Sequence, residues 1–549
     1  AGGTISEKRL TINNDATFDV NDQNQSLSAL SSESSDASVE LGSGQLTIDK
    51  PDNDAGASFA GVISGTGSVV KDGAGTQTLG TANTYDGSTE VKDGTLELGF
   101  ANGVTTGPIT NDANLRLNQA KGNEVTLNGL QATAAGGDLI KTGEGSAILD
   151  GASNAYGSLR VKKGNLQASP DSLSNGVADF DESSVTTEEG GTFTLDISGI
   201  PGSNTKWDGA GQIKGSDSNG SGTFSVDDGG IGYTLTVDPS GGPNNQLTTD
   251  GVTLDLKSNA TVDIDSPQTF GGLSGTSTNA TLNLDAGITL QQDDDTTYLG
   301  GFSGNNTITK RGSGSLIVDA SVAAGTVANS LNTDQIDVQK GGFGVDTRNS
   351  GDVTYDPAND GFNPQAAPGE RIDFTKSGDN KLTLVNNTND WNGNTKVSGG
   401  TLQLNGNLNT DGKTTVTAGS TLELDTGNLT TSGIEGTNIE GENSPEINFT
   451  GSGPNGDITI NGSNDTTNTF EGDISGAGDI TKVGQSTQEL TGDNNFTGDV
   501  NLDKGTLVMN FVDGATNTVN VSDNTEFGFK TPKNADITFA GDLNGPNAD

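Results

Sequence analysis

Phe59-Ala-Gly-Val-Ile-Ser-Gly-Thr-Gly67, then Lys71-Asp-Gly-Ala-Gly75, Leu79, Asn83-Thr-Tyr-Asp-Gly87, Val91 and Gly94-Thr-Leu-Glu-Leu98, make a unit that the chain repeats. It returns as Lys141-Thr-Gly-Glu-Gly145, Leu149, Asn154-Ala-Tyr156-Gly157, Val161 and Gly164-Asn-Leu166. A further copy reads Lys376-Ser-Gly378, Leu382, Asn389-Asp-Trp391-Asn-Gly393, Val397 and Gly400-Thr-Leu402. Another opens at Phe470-Glu-Gly472 and holds Lys482-Val-Gly484, Leu490, Asn495-Phe496-Thr-Gly498, Val500 and Gly505-Thr-Leu507. A degraded copy runs from Phe302-Ser-Gly304 through Lys310-Arg-Gly312-Ser-Gly314 to Gly341.

The distance from Lys to the closing Gly is 23 positions in three copies and 24 in the copy that begins at Lys376. Alternation such as Thr-Leu-x-Leu sends every second side chain to one face, so each run reads as a strand with one buried side. Gly and Asn tolerate positive φ and mark corners. Short strands and corners recurring at this period predict an all-β chain, a parallel β-helix built as a solenoid over 1–549. Leu96 and Leu115 stand 19 apart and Thr401 and Thr421 stand 20 apart, each one circuit.

The Lys-x-Gly, Asn-x-aromatic-x-Gly and Gly-Thr-Leu elements, together and in order, resemble the passenger-associated repeat of bacterial autotransporters. Among these are the self-associating, AIDA-type adhesins. The resemblance implies a right-handed β-helix exported to the surface of a Gram-negative cell through an outer-membrane barrel. It further implies adhesion: self-association, aggregation, biofilm formation or surface attachment. The expected partner is a second copy on a neighbouring cell, or a host surface or glycan.

Composition agrees with export. There is no cysteine, so no disulfide stands in the way of an unfolded crossing. Ala1 heads the chain without a charged and apolar leader, so a mature fragment is expected, with leader and barrel outside it. No apolar run approaches membrane-helix length. The net charge of −46, from 27 Lys and Arg against 73 Asp and Glu, opposes nucleic acid and anionic lipid. It also makes copies repel, so association should need salt, divalent cations or acid.

Two stretches interrupt the strand rhythm. Residues 199–222 are rich in Gly and Ser, hold Trp207 and lack a good strand. Residues 346–370 hold Pro357, Pro364 and Pro368, and proline cannot donate to a central ladder. Both read as loops leaving the coil, and they are candidate sites for a host ligand or glycan.

Chemistry is sparse. With no histidine, the Ser-His-Asp triad and histidine metal sites are excluded. A polysaccharide-degrading enzyme would need paired carboxylates in a groove, a pattern that 73 acidic residues produce by chance. No catalytic residue and no cofactor is assigned. Calcium has candidate ligands in Asp52, Asp54, Asp293 and Asp295, and in Asp227-Asp228, none with EF-hand spacing. The recurring Lys71, Lys141, Lys310, Lys376 and Lys482 read as solvated strand ends that balance nearby carboxylates. Tyr85, Tyr156, Trp391 and Phe496 read as covers over a corner of the core.

Overall fold

Alternating strands only a few residues long cannot bury a face alone, and stacking them in register solves this for every circuit at once. The computed structural model shows that solution and describes residues 8–49, 51, 57–99, 107–133, 136–151, 154–173, 185–198, 204–207, 213–215, 222–231, 234–237, 251–320, 336–356, 362–364, 367–385, 392–451, 456–463, 466–531 and 537–545. The chain forms two compact units, Ala1–Ala286 and Gly287–Asp549. Each is a parallel β-helix.

In the first unit one sheet stacks Ala57–Phe59, Thr76–Leu79, Thr95–Leu98, Asn114–Leu117, Asp138–Lys141, Leu159–Val161, Val185–Thr187 and Ile213–Gly215. Leu96 pairs with Leu115, and Leu115 with Leu139, so the expected circuit is the observed one. A second sheet of this unit stacks Lys8–Thr11, Gln25–Ser31, Gln45–Asp49, Ser68–Asp72, Thr89–Val91, Ile109–Asn111 and Leu130–Gln131. Most Leu, Ile and Val of these strands turn inward and are buried, while most Asp and Glu turn outward. A short helical turn spans Pro170–Leu173.

The second unit repeats this design. One sheet stacks Leu408–Asn409, Leu429–Thr431, Ile458–Ile460, Ile480–Lys482, Val500–Leu502, Thr518–Val521 and Asp542–Asn544. Another pairs Lys381–Val385 with Thr401–Asn405, and the latter with Thr421–Leu424, so that Thr401 meets Thr421.

The two expected loops contain strands of the coil. Within 199–222, Asn204–Trp207 pairs with Thr234–Val237 and Ile213–Gly215 pairs with Val185–Thr187. Within 346–370, Val353–Tyr355 pairs with Leu382–Leu384, and Phe362–Pro364 pairs with Ile336–Val338. The strand reading failed at Asn204–Trp207 because only Trp207 in it is apolar. Among the described residues the strand of Pro364 is the last of its sheet, a place where proline's missing N–H is tolerated. The remaining residues of both stretches, Pro357 among them, lie outside those described.

Candidate functional site: lysine-capped corners and outward columns

The inward columns are mostly apolar, and one charged residue recurs in them. Lys71 stands in register between Ile48 and Val91, and Lys141 between Leu117 and Val161. Lys310 lies between Leu290 and Val338, Lys376 between Val345 and Val397, and Lys482 between Ile460 and Leu502. All five are fully buried. They are therefore not the solvated strand ends that their charge suggested.

A buried ammonium must find acceptors for its three N–H bonds. The corner supplies them. In each copy Nζ donates to the carbonyl of the glycine two residues on: Gly73, Gly143, Gly312, Gly378 and Gly484. In four copies it also donates to the carbonyl just before the closing glycine: Asp93 at 3.1 Å, Lys163 at 3.2 Å, Lys340 at 3.2 Å and Gly399 at 2.7 Å. Lys376 adds Thr347 Oγ1 at 2.9 Å. The ammonium thus ties one corner to the next. Burial pushes Lys141, Lys310, Lys376 and Lys482 down to about 8, which still leaves them cationic at neutral pH.

The closing glycine has its own reason. Gly94, Gly164, Gly341, Gly400 and Gly505 all have positive φ, from 54° to 79°. A Cβ on Gly94 would stand 2.4 Å from the Gly73 carbonyl, and one on Gly164 equally close to that of Gly143. In four corners the glycine carbonyl that accepts from the lysine is also the surface on which the closing glycine sits, and at Gly400 the carbonyl of Asn380 takes that place. Lys-x-Gly and Gly-Thr-Leu are two halves of one device.

The asparagine of the repeat also acts on backbone. Asn83 Oδ1 accepts from Ile63 N at 2.8 Å, and Asn154 Oδ1 from Leu130 N at 2.6 Å. Tyr85 and Phe496 are buried as expected, Tyr156 is half-buried, and Asn389 and Trp391 lie outside the described residues. The Tyr85 hydroxyl meets Thr89 Oγ1 at 2.5 Å, and burial pushes its pKa up to about 12.

Two buried glutamines were not legible as special. Gln77 accepts from Leu30 N at 3.1 Å and donates to Leu30 O at 2.9 Å. Gln488 does the same with Ile434, at 2.9 Å and 2.8 Å. Each side-chain amide satisfies both backbone groups of one residue, as a paired strand would. The signal was Thr-Gln-x-Leu at both sites, a polar residue where alternation demands an inward one.

The acidic candidates are engaged at corners. Asp293 Oδ1 accepts from Ser313 N and Oγ, both at 3.0 Å, and these bonds hold its carboxyl below the ordinary range. Asp295 Oδ1 accepts from Ser315 N at 2.7 Å. Asp228 Oδ1 takes the N–H groups of Gly230 and Asn259, each at 2.9 Å. Asp52 and Asp54 lie outside the described residues. The structure instead gathers Asp263, Asp265 and Asp285, whose carboxylates come within 4.8 Å of one another. Asn283 Nδ2 donates to Asp263 at 2.7 Å, and burial is the main cause of that residue's raised pKa. Sequence spacing hid this group because one circuit separates Asp285 from Asp263 and Asp265.

Outside, polar side chains form columns. Thr430, Thr459, Thr481, Asn501, Asn520 and Asn544 follow one another in register on successive strands. Asn520 Nδ2 donates to Asn501 Oδ1 at 2.8 Å and Asn544 Nδ2 to Asn520 Oδ1 at 3.1 Å. No helix among the described residues is long and apolar enough to cross a membrane.

No curated protein and no solved structure matches the chain. The family model of the passenger-associated-transport-repeat matches at residues 69–98, 139–168, 374–404 and 480–509, the four copies whose lysines are Lys71, Lys141, Lys376 and Lys482. With that repeat set in a coil of parallel strands, the chain matches an autotransporter passenger domain with repeats.

Proposed function

We propose that this passenger is displayed on a Gram-negative cell as a non-enzymatic adhesin that associates with a second copy of itself. Aggregation, biofilm growth or surface attachment would follow from that contact. The supporting observation is the column Thr430, Thr459, Thr481, Asn501, Asn520 and Asn544: uncharged, outward and one rung apart. On a chain of net charge −46, an uncharged strip is where two copies meet least repulsion. A single polar contact of this kind is weak, yet a column offers many at once and their effects multiply.

Three substitutions, Thr459→Asp, Asn501→Asp and Asn520→Asp, place like charges on three strands of the column and leave the core untouched. Sedimentation velocity of the triple variant should show self-association weakened at least tenfold, about 1.4 kcal/mol. Unchanged association would remove the column from the contact. Association of the unaltered chain should rise with salt or calcium and fall in low-salt buffer with chelator.

A further inference from the structure

At one outer corner of the first unit an unengaged side-chain amide stands beside an open glycine. Asn128 closes the strand Glu124–Asn128 and is followed by Gly129, whose φ is 69°. A Cβ on Gly129 would meet nothing within 4 Å, so this glycine faces open space. Asn128 is exposed, and its side chain makes no hydrogen bond among the described residues. Gly129 N donates to Asp150 O at 3.3 Å, a long bond that gives up its proton easily to solvent.

The other described Asn-Gly pairs begin at Asn392, Asn405, Asn461 and Asn544, and each is more restrained. Asn392 Oδ1 accepts from Ile372 N at 3.0 Å and its Nδ2 donates to Glu370 O at 3.2 Å. Gly393 is buried and donates to Ile372 O at 3.0 Å. Gly462 is buried too, and a Cβ on Gly427 would stand 2.0 Å from the Gly406 carbonyl. Asn544 is held by Asn520. The corner one circuit after Asn128 shows the pose this place favours. Asp150 stands in register with Asn128 and is followed by Gly151, whose φ is 81°. Asp150 Oδ1 accepts from Gly151 N at 2.7 Å, so the side chain curls back onto the nitrogen of the next residue. An asparagine in that pose presents its amide carbon to the glycine nitrogen.

We propose that Asn128 is a site of spontaneous deamidation. Gly129 N, its proton taken by hydroxide, attacks Asn128 Cγ. The N–Cγ bond forms, the Cγ–Nδ2 bond breaks, and Nδ2 takes a proton from water and leaves as ammonia. The cyclic imide then takes up one water. Opening at Cγ gives aspartate, and opening at the main-chain carbonyl carbon gives isoaspartate. The net change is an amide and water for an acid and ammonia, with no oxidant or reductant. Glycine suits the step because no Cβ crowds the attacking nitrogen. Asp150 is the poorer substrate, because a carboxylate offers no leaving group comparable to ammonia. Either product sets a second carboxylate beside Asp150, one strand away, where like charges repel. Isoaspartate also lengthens the backbone by a methylene and shifts Gly129 out of register with Asp150. The proposal is independent of self-association, which was placed on a column of the other unit.

The test is incubation of the whole folded chain in mildly alkaline buffer, with peptide mass spectrometry following Asn128, Asn392 and Asn461. Asn128 should convert at least tenfold faster than the other two, with isoaspartate among its products. In concentrated urea the rates should converge, which assigns the difference to the fold. Asn128→Gln, whose longer side chain closes the ring far less readily, should abolish the reaction at this position. Asn128 is exposed, so that variant should keep its circular dichroism and its self-association. Conversion of Asn128 in the folded chain no faster than that of Asn392 and Asn461 would overturn the proposal. So would aspartate without isoaspartate, which would mean direct hydrolysis, or an undiminished difference in urea, which would place the cause in local sequence.

Discussion

The corners at Lys310 and Lys376 belong to the same unit, and the repeat model matches only the second. Lys376 reaches the Gly399 carbonyl 23 positions on, whereas Lys310 reaches that of Lys340 at 30 positions, across an insertion. The degraded copy also lacks the asparagine and aromatic element. Yet both ammoniums are fully buried, both donate to the glycine carbonyl two residues on, and both closing glycines have positive φ. What persists between them is the carbonyl cradle, while spacing and neighbouring motifs vary. The repeat is better defined by what its lysine touches than by its length.

Removing the lysine should break both corners, and unequally. Lys376→Ala leaves three carbonyls and Thr347 Oγ1 without their donor and opens a cavity, and should cost about 3–5 kcal/mol. Lys310→Ala strands three carbonyls and should cost roughly 1 kcal/mol less. Hydrogen exchange over Ile308–Arg311 and Ile372–Ser377 measures each locally. Equal, small losses at both corners would mean that packing alone holds them.

The glycines should show a smaller effect. Gly341→Ala and Gly400→Ala impose positive φ on a residue whose Cβ would stand 2.4 Å and 2.5 Å from a carbonyl of the corner below. Gly419→Ala imposes a similar φ in open space. The first two should cost about 2–3 kcal/mol and the third about 1 kcal/mol, read from denaturant midpoints. Three equal losses would assign the effect to φ and leave no part for the stacked corners.

A third effect is on pH dependence. Burial holds Lys310 and Lys376 near 8, below the 10.5 of an exposed lysine. Between those values the unfolded chain binds more protons than the folded one, so stability rises with pH across that window. Lys310→Met and Lys376→Met should each flatten that rise relative to the unaltered chain. Parallel profiles would show that the carbonyls hold the proton as firmly as water does.

The coil itself was legible because alternation and circuit length are written directly in residues such as Leu96, Leu115, Thr401 and Thr421. The lysines were misread for a physical reason. A charge is exposed by default, and the acceptors that make Lys71 or Lys482 an inward residue are backbone carbonyls, which no side-chain pattern displays. Gln77 and Gln488 were missed on the same ground. Asp293 and Asp295 looked like ligands because the N–H groups they accept from belong to Ser313 and Ser315, one circuit later.

Selective acetylation of the native chain tests the lysine cradle most directly, with each lysine followed by mass spectrometry. Lys71, Lys141, Lys310, Lys376 and Lys482 should resist the reagent until the coil is unfolded, while the half-exposed Lys92 and Lys163 react at once. Reaction of the five at the rate of Lys92 and Lys163 in the folded chain would contradict the buried ammonium on which the corners are built.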